Sequence, residues 1–222
     1  MTTLKRIVFI RPGETEWNLV GRFQGWVAVP LNEHGKVQAQ RLANFIRHIG
    51  LSKLYTSDLA RAKQTADILA KALGFEVTVD QRLREQNVGV WQGLTVPEMH
   101  GWYPEDHAEL QADPENFVIP AGESRKQVRD RAVAALQDYM TAAETTGREA
   151  IGILSHTTTI RLLLDELMAE PVDVESKFGN TSVTTVARAE DDAWRVTVSN
   201  DVMHLEGLES RFMPDDLRGD DQ

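Results

Sequence analysis

Three side chains able to hold a tetrahedral oxyanion stand just beyond, or at the start of, regular elements of this chain. Arg11 follows the apolar run Ile7-Val8-Phe9-Ile10, His156 follows the run from Ala150 to Leu154, and Arg61 lies in the first turns of a helical stretch. A transferring phosphoryl group spreads its charge over equatorial oxygens and needs several fixed donors converging on one point. Guanidinium groups supply them best, because their planar forks match phosphate oxygens. The strand ends of an open α/β sheet are where ligands bind, and helix N-terminal amides favour anions. The chemistry implied is phosphate recognition. Between Arg11 and Gly13 stands Pro12, which has neither a lone pair to attack phosphorus nor a backbone N–H to donate.

The elements that must position these groups alternate. Residues 4 to 10 read as a buried strand, and Leu42, Phe45, Ile46 and Ile49 recur with helical spacing. Leu54-Tyr55-Thr56 and Val77 to Val79 are strand candidates flanking a helix from about Leu59 to Leu73. Val128, Ala132, Ala135, Leu136, Tyr139 and Met140 mark another helix, followed by a strand over Ala150 to Leu154 and a helix over Thr159 to Met168. Ser182 to Arg188 and Trp194 to Ser199 read as two closing strands. The pattern predicts an α/β protein with a mostly parallel, doubly wound sheet. Residues 94 to 122 carry Pro97, Pro104, Pro114 and Pro120 and read as an irregular insertion with at most short helices, placed to cap a site. Its Trp102, Tyr103 and Phe117 are expected to shape the non-phosphate part of any ligand. The expected organisation is one domain over 1–212 and a disordered acidic tail over 213–222.

With 24 Lys plus Arg against 34 Asp plus Glu, the chain carries a net charge of −10, which disfavours nucleic acid and anionic membrane surfaces. An anionic ligand therefore needs a local cluster of cations. The chain has no cysteine, which excludes disulfides, thiolate catalysis and cysteine-based metal sites. No apolar stretch approaches the roughly 20 residues of a membrane span, and no secretory leader is read, so a cytoplasmic location is expected. Without such a leader the Asn180-Thr181-Ser182 sequon carries no meaning. Neither a nucleotide-type glycine-rich loop nor metal-ligand spacing is present, and no cofactor is expected.

Four separated segments resemble the histidine phosphatase superfamily, the phosphoglycerate mutase-like family. Arg11-Pro12-Gly13-Glu14-Thr15, continuing to Asn18, is similar to an opening motif that reads Arg-His-Gly-Glu-Thr with the histidine as nucleophile. The stretch from Tyr55 to Ala66 resembles the second phosphate-binding segment, with Arg61 at its arginine position. The stretch from Leu83 to Gly93 resembles the segment supplying the acidic proton donor, which falls on Glu85, and Ile153-Leu154-Ser155-His156 resembles the strand end carrying the second histidine. Gly122-Glu123-Ser124 fits the lead-in to the family's long helix. The resemblance implies a three-layer α/β/α sandwich of the phosphoglycerate mutase-like kind. It also implies catalytic roles for Glu85 and His156, and phosphate contacts from Arg11, Asn18, Arg61 and His156. Gln24 and Arg22 reach the ligand or else decorate a loop.

Three departures from the pattern stand out. Pro12 occupies the nucleophile position; Thr157, Thr158 and Thr159 follow His156 where the family carries two glycines; and Ala28 replaces an aspartate two residues before Pro30-Leu31. The reading favoured is a pseudophosphatase that binds inorganic phosphate or a phosphorylated small molecule, with a protein partner or a second copy of the chain as further candidates. An active phosphomonoester hydrolase or phosphomutase using His156, or a water directed by Glu85, is the alternative. A structural or protein-interaction subunit is the third.

Overall fold

A computed structural model describes residues 3–168 and 178–208. The alternation read from the sequence becomes, among these residues, six strands in one sheet. They are β1 (Arg6–Ile10), β2 (Lys53–Thr56), β3 (Glu76–Val79), β4 (Ala150–Leu154), β5 (Val183–Arg188) and β6 (Trp194–Asp201), in the order β3-β2-β4-β1-β5-β6. The β3-β2, β2-β4 and β4-β1 pairs are parallel, whereas β1-β5 and β5-β6 are antiparallel. Only residues 189–193 join β5 to β6, too few for a parallel crossover, so the closing strands form a hairpin.

The helices are α1 (Glu16–Leu19), α2 (Glu33–Phe45), α3 (Ala60–Leu73), α4 (Val96–Trp102), α5 (Pro104–Ala112), α6 (Arg125–Thr145) and α7 (Thr157–Leu167). Strand side chains alternate between two layers of them, as the pleat requires. Ile7 and Phe9 pack with Ala132, Leu136 and Tyr139 of α6 and Ile160 and Leu163 of α7. Val8 and Ile10 pack with Leu42 of α2 and Ala62, Ala66 and Leu69 of α3. The result is a three-layer α/β/α sandwich. α2 ends at Phe45, and Ile46 to Ile49 continue as a tighter turn stopped by Gly50 at φ 76°, a left-handed position that glycine adopts at no steric cost.

The 94–122 stretch holds two short helices, α4 and α5, both carrying a proline in their first turn. Met99 of α4 joins Trp91 and Ile119 in a third apolar cluster, against which Leu110 of α5 packs. The tail expected to be disordered, residues 213–222, lies outside the described residues.

Candidate functional site

Strands β2, β4 and β1 lie side by side and end in register, Thr56 opposite Leu154 and Leu154 opposite Ile10. The segments that follow them leave the sheet at one edge, where doubly wound folds bind ligands. Arg11, the residue after β1, is half-buried, and its guanidinium donates to the Phe178 carbonyl. Arg61, in the first turn of α3, is only 5% exposed and donates to the carbonyls of Gly25 at 3.0 Å and Val27 at 3.3 Å. His156 is the N-cap of α7 in extended conformation, yet its side chain makes no capping hydrogen bond. Its ring is 3% exposed, and its Nε2 has no protein partner.

These groups act on one another electrostatically. Burial lowers the Arg11 pKa and Glu85 pulls it back up. Burial likewise brings Arg61 down to about 10, with Glu85 opposing and Arg11 adding to the drop. The His156 imidazole is held well below its ordinary 6.5, first by burial and then by Arg61, Arg11 and Arg131. The site therefore holds two guanidinium groups and a neutral imidazole, offset in part by the Glu85 charge. A dianion relieves the mutual repulsion of the two arginines.

Glu85 lies in the loop after β3, and that loop is fixed from beneath. Arg131 of α6 donates to the carbonyls of Arg82 at 2.7 Å, Arg84 at 2.8 Å and Glu85 at 2.9 Å, and pairs with Glu123 at 3.0 Å. The Glu85 carboxylate accepts from the Gln86 amide at 2.8 Å and from the Thr158 amide, in the first turn of α7, at 3.3 Å. Arg131 escaped the reading of the sequence. The available signal was its spacing, three residues after Val128 and four before Ala135, which places a cation on the buried stripe of α6.

The loop after β1 uses its own donors internally. The Arg11 amide donates to Ser182 O at 3.2 Å, Gly13 to Thr65 Oγ1 at 3.1 Å, Glu14 to Gln38 Oε1 at 2.9 Å and Thr15 to Asn18 Oδ1 at 3.0 Å. Asn18 thereby completes the capping box of α1. The Pro12 carbonyl accepts from the Thr181 amide at 3.1 Å and from Asn180 Nδ2 at 3.4 Å. Nothing in the sequence placed residues 178–182 beside Pro12, because their approach depends on β5 pairing antiparallel beside β1.

Arg11, Pro12, Asn18, Gln24, Arg61, Glu85 and His156 all line one cavity of about 630 Å³. Gln24 Oε1 is buried there without a donor. Arg22 also lines it, tied to the Gly93 carbonyl and, at 2.9 Å, to Glu98. Thr157 and Thr158 line the cavity, whereas Thr159 Oγ1 donates to the Arg84 carbonyl at 2.8 Å. The expected aromatics do not line it. Trp102 is 68% exposed, Tyr103 packs in the third apolar cluster, and Phe117 stacks on Trp91 at 6.2 Å. Phe23 and Trp91 line the cavity instead.

Comparison with known proteins gives a consistent picture. The sequence profile of the Histidine phosphatase superfamily (branch 1) matches residues 7–202. Phosphoglycerate mutase-like protein 4 of Arabidopsis thaliana is 36% identical over 217 residues, covering 96% of this chain and 92% of its own. A mycobacterial glucosyl-3-phosphoglycerate phosphatase, solved with inorganic phosphate, superposes with a TM-score of 0.72 at 30% identity, covering 89% of this chain and 97% of its own. A phosphoserine phosphatase from Entamoeba histolytica, solved as a histidine-to-alanine mutant in complex with phosphoserine, gives 0.74 at 26% identity, covering 92% and 100%.

Proposed function

The chain belongs to the histidine phosphatase superfamily, and from that premise we propose that it binds a phosphate group while having lost, or severely reduced, phosphohistidine catalysis. The carrying observation is Pro12, which lines the cavity between Arg11 and Gly13 where the family motif sets its nucleophilic histidine. The donors around it are retained: Arg11 and Arg61 meet the phosphate oxygens, and His156, Asn18 and Gln24 add polar contacts. Glu85 keeps the place of a proton donor. Helices α4 and α5 act as a cap, and the ligand is inorganic phosphate or a phosphorylated small molecule of the cytoplasm. The phosphoserine phosphatase mutant, complexed with phosphoserine despite a histidine replaced by alanine, supports the separation of binding from turnover. Loss of a nucleophile in other hydrolases leaves about 10³ to 10⁴ over water, a residue that is hard to detect for phosphate monoesters.

One observation favours a second reading. His156 is neutral with an unpartnered Nε2, as a nucleophile in place of residue 12 requires. Aryl phosphate hydrolysis with trapping of an acid-labile phosphoenzyme separates the two in the parent, Pro12→His and His156→Ala. A silent parent and an active Pro12→His variant support the pseudophosphatase. A parent as active as Pro12→His, whose phosphoenzyme disappears in His156→Ala, establishes the second reading instead.

A further inference from the structure

We propose, resting on the phosphate-binding reading above, that Asn180 is a further anion-binding residue of the site and that Thr181 and His204 position it. Asn180 lines the cavity and is partly buried. Its Nδ2 lies 3.4 Å from the Pro12 carbonyl oxygen and 3.4 Å from Asn18 Oδ1, so both bonds are long for an N–H donor. A dianion held by Arg11 offers that amide a charged acceptor, which forms a shorter and stronger bond than either. The backbone supports this placement, because the Arg11 guanidinium donates to the carbonyl of Phe178, two residues before Asn180.

The side chain is presented by a turn held in an unfavourable conformation. The Ser182 amide donates to the Gly179 carbonyl at 3.0 Å, which closes a four-residue turn with Thr181 in its third position. Thr181 is fully buried there at φ 56°, in the left-handed region that glycine or asparagine fills and a β-branched residue avoids. Such a backbone persists only where its surroundings over-determine it, and it is found above all at functional sites. Here the Thr181 amide donates to the Pro12 carbonyl at 3.1 Å and its hydroxyl to the Asn180 carbonyl at 2.7 Å. With that proton committed, His204 Nε2, at 2.9 Å, is the donor to Thr181 Oγ1, which leaves its Nδ1 bare and accounts for that atom being buried without a partner. Burial, which brings the His204 pKa down to about 4, keeps this tautomer neutral. The turn is pinned again at Gly179, whose amide donates to Asn200 Oδ1 at 2.7 Å and on which a β-carbon would lie 2.9 Å from Val202 Cγ1. Glycine at 181 would make the same turn without strain. The threonine adds the hydroxyl that ties Asn180 to His204.

Calorimetric titration of the full chain with inorganic phosphate, at one pH and ionic strength, tests both assignments. Asn180→Ala is expected to weaken binding about tenfold, the scale of one charge-assisted hydrogen bond, and Asn180→Asp by more, since its carboxylate repels the dianion. Thr181→Ser, which keeps the hydroxyl, should bind within about twofold of the parent. Thr181→Val keeps the shape and removes the hydroxyl. It should weaken binding by about threefold or more in the parent and add nothing in the Asn180→Ala background. His204→Phe, which keeps a ring against Phe45 and removes the donor, runs the same cycle should T181V not fold. Parent-like affinity in both Asn180 variants would overturn the anion contact while the phosphate site stands. Equal losses from Thr181→Val with and without Asn180 would show that Thr181 serves stability alone and overturn its positioning role. If inorganic phosphate fails to bind the parent, the phosphate-binding reading falls, and this inference with it.

Discussion

Gly35 of α2 stands so close to Glu14 that a β-carbon on it would lie 2.1 Å from the Glu14 carbonyl oxygen, and a β-carbon on Gly13 would lie 2.6 Å from Gly35 O. The loop behind Arg11 is thus pressed against the start of α2 with no room on either side. Asn32 locks the contact, donating to the Glu14 carboxylate at 2.9 Å and accepting from the Gly35 amide at 2.7 Å. Because the obstructing atoms are backbone, Gly35→Ala is expected to destabilise the protein by about 2–4 kcal/mol and to weaken phosphate binding by displacing Arg11. Denaturant melts and phosphate titration of the same sample check both.

Arg131 and Glu123 form an ion pair whose side chains are 17% and 15% exposed. Arg131→Met strands the Glu123 carboxylate and removes three carbonyl contacts, with an expected loss of about 3 kcal/mol. Introduced into the Pro12→His background, it should lower kcat more than it raises KM, because it loosens the loop bearing Glu85 and leaves both phosphate-facing arginines in place. Equal changes in the two constants would show that Arg131 serves stability alone.

Anion binding should take up a proton. Burial and then Arg61, Arg11 and Arg131 hold the His156 imidazole toward its neutral form, and a dianion seated between Arg11 and Arg61 favours the imidazolium. Sulfate, whose charge is constant in this range, is therefore expected to bind more tightly as pH falls from 7 to 5, by up to about tenfold per unit, with the dependence abolished in His156→Gln. Calorimetry in buffers of different ionisation enthalpy reads the proton directly.

Stability should fall in the same acid range in the absence of ligand. Burial, with a smaller push from Arg41, holds His204 down at about 4 against the opposing pull of Asp201, and its Nε2 lies 2.9 Å from Thr181 Oγ1. Since the unfolded chain binds these protons near 6.5, stability drops from there as pH falls and levels off below about 4 for His204. The ring is half-buried and solvent screens it, so its share is about 1–2 kcal/mol. His156 adds loss of the same sign. Thermal melts of the parent, His204→Gln and His156→Gln between pH 7 and 4 test this, with each variant expected to show a shallower slope.

The charged lining of the cavity was legible in the sequence and its aromatic lining was not. Arg11, Arg61 and His156 could be placed because each sits a few residues from a strand, and parallel strands in register carry such residues to one edge, whereas Glu85 was placed by the family resemblance of the stretch from Leu83 to Gly93. The rings that line the cavity, Phe23 and Trp91, lie outside the 94–122 stretch from which Trp102, Tyr103 and Phe117 were expected, and no spacing from a strand ties those loop positions to the cavity. Asn180 and Thr181 were invisible for another reason: composition does not say which neighbour an antiparallel closing strand chooses.

The Pro12 carbonyl accepts from Thr181 and Asn180, while the flanking amides at 11, 13, 14 and 15 are all satisfied within the protein. Residue 12 has one duty in the architecture, to accept at its carbonyl, and a proline discharges it as well as any other residue. A histidine at this position would keep that acceptor and add one backbone N–H, in a buried loop, that the proline does not carry. The same exchange frees φ at residue 12 and lifts the restriction that a proline places on Arg11, so the fold and the site both register it.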